Sequence, residues 1–204
     1  TKEIEQEASD ATITLTKDNF VITEEKEGRR VEVNKSYDLI KQRVESLSTD
    51  EVELVVTIIE PEIKKADLQN IKDKLGEYAT KFNAADSDRT HNIKIATQSA
   101  SNILVKPGEV FSLDKKTGPR LAKYGYKEAD VIVNNELVPG IGGGVCQVSS
   151  TLYNAALLSN MKIVERKNHS LPSSYVPLGR DATISGDYID LKFENTSNYP
   201  IYIY

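Results

Sequence analysis

The run Gly140-Ile-Gly-Gly-Gly-Val-Cys-Gln-Val-Ser-Ser-Thr-Leu-Tyr-Asn-Ala-Ala-Leu-Leu158 joins a glycine loop to a helix. The glycines tolerate positive φ, so they make a loop rather than a strand. Beyond them Val145, Val148, Leu152 and Ala155 form an apolar stripe. Cys146, Ser149, Ser150 and Tyr153 share the neighbouring face at i, i+3, i+4 and i+7. Cys146 thus stands in the first turn of an amphipathic helix. A helix start carries unpaired N–H groups and the positive end of the macrodipole, which bias a cysteine there towards thiolate. The N–H groups of Gly142, Gly143 and Gly144 are candidates to receive an oxyanion. Thiol acyl transfer needs this combination of loop, cysteine and helix. The plainer reading is a buried cysteine acting as a small hydrophobe, against which the neighbouring Ser149 and Ser150 speak. A phosphate cradle is the weaker option, since the Lys-Ser/Thr ending of a P-loop is absent.

Cys146 is the sole cysteine among 204 residues, so there is no internal disulfide and no cysteine-rich zinc site. A cysteine nucleophile usually wants a base. His169 follows the expected strand Lys162–Arg166, and a strand returning from a helix can carry its end back to the helix start. Base and structural residue both remain open for it. His91 precedes a helix amid polar residues and reads as surface or structural. Around His169, Asp181 is placed to orient the imidazole as the third member of a triad. Arg166 or Arg180 could grip a substrate carboxylate, and Tyr175 could orient the histidine or bind substrate. Ordinary ion pairs are the alternative for each charged group.

Outward from this centre the chain reads as α+β. A small N-terminal module, residues 10–64, contains strands at Ala11–Thr16, Phe20–Thr23 and Arg30–Val33. A helix from Ser36 follows, capped by Asn34 or Ser36, with Tyr37, Ile40, Val44 and Leu47 on one face. Val52–Ile59 reads as a buried strand. Residues 1–9 are expected to fray. After a connecting region with a short helix at Ala66–Leu75 and an extended stretch at Gly76–Phe82, a second helix presents Ile93, Ala96, Ala100, Ile103 and Leu104 and ends at Pro107-Gly108. Glu109–Leu113, Tyr188–Phe193 and Ile201–Tyr204 read as extended. A boundary between two folding units is expected between about residues 60 and 80.

Lys+Arg total 26 and Asp+Glu 31, a net charge of −5, which argues against broad nucleic-acid binding. Hydrophobic residues at 39% and charged residues at 28% suit a folded globular chain. No apolar run approaches the roughly 18–20 residues of a membrane span. The chain opens at Thr1 without Met or signal peptide, so a fragment is expected, with room for a membrane anchor upstream.

Four motifs, Pro107–Ser112, Gly140–Asn154, Glu165–Ser170 and Tyr175–Thr183, resemble the VanW domain family in order and spacing, over about residues 76–204. Residues 10–64 are similar to the peptidoglycan-binding module that often precedes VanW domains. The resemblance implies an α+β catalytic domain in a bacterial envelope protein, facing the cell wall. It further implies L,D-transpeptidase activity that forms 3-3 cross-links between peptidoglycan stem peptides, with Cys146 as nucleophile, His169 as its partner, and no metal or cofactor. The Ser-His-Gly-Cys motif of better-known L,D-transpeptidases is missing. A cell-wall cysteine peptidase or carboxypeptidase, and a non-catalytic peptidoglycan-binding protein, are the rival expectations.

Overall fold

The computed structural model describes residues 4–16, 19–133, 135–186 and 188–204. Helices and strands are mixed in an α+β fold, and the chain divides into two compact units, Thr1–Asn70 and Ile71–Tyr204.

In the first unit β1 (Thr12–Leu15) and β2 (Phe20–Thr23) pair antiparallel, Thr12 opposite Thr23. Next come β3 (Gly28–Val31), α1 (Val33–Glu45) and β4 (Val56–Ile59), with Gly28 opposite Ile59 across the antiparallel β3–β4 pair. The short α2 (Lys65–Leu68) packs against β1 and β2. Ala11, Ile13, Val31, Ile63 and Leu68 are buried.

Several local expectations are corrected here. α1 begins before Ser36, and neither Asn34 nor Ser36 caps it: Glu32 is the N-cap, and the buried Ser36 hydroxyl accepts the Val55 N–H at 3.0 Å. The stripe Tyr37, Ile40, Val44 and Leu47 is exposed. The predicted buried strand at Val52–Ile59 pairs only over its second half, and Val56 and Ile58 are exposed because a two-stranded ribbon covers neither of its faces by itself. Residues 4–9 do not fray, since Gln6 and Ser9 bridge to Arg29 and Lys26; residues 1–3 lie outside the described residues. The helix at Ala66–Leu75 shrinks to α2. Gly76–Phe82 forms no strand; its Thr80 and Lys81 bond a side chain of the site instead.

The second unit opens with α3 (Ser87–Ser99), whose N-cap Asp86 accepts the Arg89 N–H at 3.1 Å. β5 (Ile103–Val105), β6 (Val110–Ser112) and the short α4 (Leu113–Thr117) follow. β7 (Glu128–Val133) and β8 (Glu136–Ile141) form a hairpin that delivers the chain to α5 (Val145–Leu158). β9 (Lys162–Glu165), β10 (Lys192–Glu194) and β11 (Ile201–Ile203) complete the unit. Strands order β6-β10-β9 in one antiparallel sheet, and β5 pairs with β11. α3 does not extend to Pro107: it ends at Ser99, Asn102 takes a positive φ of 58°, and Ile103 and Leu104 leave to pair with β11. Leu113 likewise starts a helix instead of ending a strand, and Tyr188–Ile189 precedes β10 as a turn and bridge.

α3 and α5 pack together over a core that includes Ile93, Ala96, Val145, Val148, Leu191 and the stacked rings of Phe111 and Phe193, 4.9 Å apart. Burying each of the larger side chains among these contributes about 1.5–3 kcal/mol, and this core fixes the start of α5. Among the described residues, no helix is long and apolar enough to cross a membrane.

Candidate active site

Cys146 is the second residue of α5, behind an N-cap Gly144 at φ 108°, and is half-buried. Its thiol points to the Ile184 carbonyl at 3.5 Å. The turn before it can only be glycine. A Cβ on Gly143 would lie 2.6 Å from the Ala129 backbone, and Gly142 and Gly144 both hold positive φ. Asn92, fully buried on α3, clamps this turn by donating to the carbonyls of Gly143 and Lys127 at 2.9 Å each and accepting the Lys127 N–H at 2.8 Å. One expectation changes: the Gly142 N–H is spent on the Lys127 carbonyl at 3.0 Å. The N–H groups of Gly143, Gly144 and Cys146 meet no acceptor among the described residues, as the first turn of a helix requires.

His169 is buried in the loop after β9. Its Nδ1 lies 2.6 Å from Asp181 Oδ2, which also accepts the His169 backbone N–H at 2.6 Å. Ser173 Oγ stands 3.2 Å from the same ring nitrogen. Cys146 lines the same cleft as the imidazole and is the first of the influences that raise the His169 pKa. With Nδ1 turned to a carboxylate, Nε2 is the nitrogen left for sulfur. Burial pushes the imidazole towards its neutral form, but Cys146 and then Asp181 outweigh burial and hold the His169 pKa above its usual value. Burial likewise opposes the Asp181 charge, yet the backbone and ring of His169 hold its carboxyl below the usual range.

The remaining predicted residues separate into two groups. Tyr175 comes to the site: its ring meets His169 edge-on with centroids 6.4 Å apart, and burial raises its hydroxyl pKa. Arg166 and Arg180 do not face the cleft. Arg166 donates to the Asp181 carbonyl at 2.7 Å and to Asp181 Oδ1 at 3.2 Å, and lies over the Tyr153 ring. It therefore positions the carboxylate that positions the histidine. The Arg180 side chain reaches Asn154 Oδ1 at 3.4 Å, and its carbonyl accepts from Asn154 Nδ2 at 2.7 Å. Ser149 is also corrected: it is fully buried, its hydroxyl meets no partner among the described residues, and it does not line the cleft. Three residues after Cys146, the helix has rotated it into the core. Ser150 is buried too, clamping Ala182 with its hydroxyl. His91 bonds the Gly125 carbonyl at 3.0 Å and does not line the cleft that Cys146 lines.

Cys146, His169, Tyr175 and the glycine turn all line one cleft of about 1720 Å³. Three further residues were not singled out by sequence: Arg89, Asn92 and Gln147. The signal was there, because Arg89, Asn92, Ile93 and Ala96 share a face of α3 at i, i+3, i+4 and i+7, so polar groups ride on its packed side. Among the described residues, no group of three or more His, Cys, Asp or Glu is placed to hold a metal ion.

The family model described as VanW like protein matches residues 88–204, and that described as "Putative peptidoglycan binding domain" matches residues 1–53. A Bacillus subtilis (strain 168) protein, Uncharacterized protein YoaR, is 45% identical over 130 residues, 64% of this chain and 43% of its own length. Vancomycin B-type resistance protein VanW of Enterococcus faecalis (strain ATCC 700802 / V583) is 32% identical over 123 residues, 57% of this chain and 45% of its own length. The chain thus spans less than half of either relative. No solved structure gives a significant match. With its model matched over more than half of the sequence, the whole glycine turn and the His169 loop included, the chain belongs to the VanW-like family.

Proposed function

We propose that this chain is a cell-wall L,D-transpeptidase working through a thioacyl-enzyme at Cys146. The observation that carries the reading is the His169–Asp181 pair, Nδ1 2.6 Å from Oδ2, on an open cleft that Cys146 and His169 both line. The VanW-like family and the peptidoglycan-binding match support a cell-wall role, with peptidoglycan as partner and the outer side of the membrane as the place of work. Residues 10–64 would hold the wall and residues 76–204 would carry the chemistry.

In the first step His169 takes the Cys146 proton, and the sulfur attacks the carbonyl between residues three and four of a stem peptide. The oxyanion meets the free N–H groups at the start of α5. The imidazolium returns its proton to the departing D-Ala amine, leaving a thioester. In the second step the side-chain amine of another stem attacks the thioester, its proton passes to His169, and the thiol is released. Water in place of the amine makes the same site a carboxypeptidase.

Incubation with purified disaccharide-tetrapeptide followed by mass spectrometry tests this. Cross-linked dimer and free D-Ala are expected from the wild type and neither from Cys146→Ala. Trimmed monomer alone would convert the reading to hydrolysis. Full activity in Cys146→Ala, or no turnover together with a thiol inert to iodoacetamide, would end it.

A further inference from the structure

We infer that Arg89 is the carboxylate-recognition residue of this cleft, and that it selects peptides ending one residue beyond the bond that Cys146 opens; this rests on the acyl-transfer reading above. Arg89 sits in the first turn of α3 and is half-buried on the cleft wall. Among the described residues no carboxylate pairs with it, unlike Arg120, which is tied to Asp114, and Arg166, which is tied to Asp181. Asp86, the nearest acid in sequence on the same wall, spends an oxygen on the Arg89 backbone N–H.

The guanidinium is nevertheless held in place. One Nη donates to Gln147 Oε1 at 2.7 Å. Gln147 is buried, and its amide nitrogen is used on Thr80 Oγ1 at 2.9 Å and the Lys81 carbonyl at 3.0 Å. That leaves Gln147, the residue next to Cys146 in the chain, a fixed acceptor for Arg89. The stem of Arg89 lies across the glycine turn: a Cβ on Gly144 would stand 3.1 Å from Arg89 Cγ. A preorganised cation with unspent N–H groups, on the same cleft as Cys146, fits a planar anion held by two bonds. When Cys146 attacks the bond before the last residue, the leaving residue carries the free carboxylate, about 3.8 Å further along the chain by Cα spacing. The exposed Lys81, Lys115 and Lys167 on the same cleft add positive field without fixed geometry.

The test compares disaccharide-tetrapeptide with its C-terminal amide, in turnover by the whole chain and in calorimetric binding to Cys146→Ala. Wild type should prefer the free acid by roughly 10- to 100-fold in kcat/KM. Arg89→Gln should lose that preference, and Arg89→Lys should recover part of it, while iodoacetamide still labels Cys146 and the melting temperature holds. Preference retained in Arg89→Gln overturns the assignment. If no turnover is seen and the thiol is inert to iodoacetamide, the acyl-transfer reading fails; with or without turnover, binding then decides the Arg89 assignment. Cys146→Ala should bind the acid over the amide and lose this with Arg89→Gln added; equal binding of acid and amide, or none, overturns the assignment.

Discussion

At the residue scale, a single carboxylate oxygen organises the site. Asp181 Oδ2 receives both the ring and the backbone of His169, so Asp181→Asn removes an acceptor from two donors at once. The raised His169 pKa means that its charge-dependent stabilisation is complete below the ordinary histidine value of 6.5 and is lost as pH rises through the folded value. The lowered Asp181 pKa means that its share is present above 3.8 and is lost as pH falls through the folded value. The stability gap between wild type and Asp181→Asn, read from urea melts, should therefore be widest between these two values, about 1–3 kcal/mol, and narrow on the alkaline side. A pH-independent gap would contradict the pair. On the proposed mechanism the alkaline limb of turnover would report loss of the imidazolium that protonates the leaving amine, so Asp181→Asn should move it to lower pH. His169→Ala should slow acylation about 10²- to 10⁴-fold while the far-ultraviolet dichroism stays unchanged; wild-type turnover would make His169 structural. Cys146 and His169 were legible because each is scarce and stands where a helix begins or a strand ends. The role of Arg166 was not, since an arginine's charge says nothing about which of two carboxylates it will meet.

At the element scale, the glycine turn is shaped by what presses on it. Gly143 faces the Ala129 backbone, and Asn92 ties its carbonyl to α3. Gly143→Ala would force β7 and α5 apart and should destabilise by about 1–3 kcal/mol, with turnover lost as the thiol moves from His169. An unchanged melting curve would show that the turn has room to spare. Asn92→Ala should cost about as much, through orphaned partners. Here the sequence was informative in part. A period of 3.6 locates α5 and α3, but it runs past the end of α3 because Ile103 and Leu104 continue the apolar stripe. Only their pairing with β11, nearly a hundred residues away, makes them a strand. The β7–β8 hairpin leaves as weak a signal for the same reason: its strands are partnered by each other, and local periodicity is weak where both faces are partly exposed.

At the scale of the whole molecule, the question is whether the chemistry needs the first unit. Every residue named in the cleft, and the core that holds α3 against α5, comes from Ile71–Tyr204. The first unit keeps a small core of its own and offers no cysteine or histidine. If the division at Asn70–Ile71 is a folding boundary, residues 71–204 expressed alone should unfold cooperatively and label at Cys146 with the pH profile of the full chain. They should also release D-Ala from soluble disaccharide-tetrapeptide at a similar kcat, since a soluble substrate needs no anchoring. Insoluble wall sacculi provide the contrast. There a second binding unit raises the effective concentration of stem peptides at the cleft, by up to about 10²-fold when geometry allows, so the shortened chain should fall behind only on sacculi. A fragment that aggregates, or that loses turnover on the soluble substrate as well, would mean that the two units make one cooperative structure.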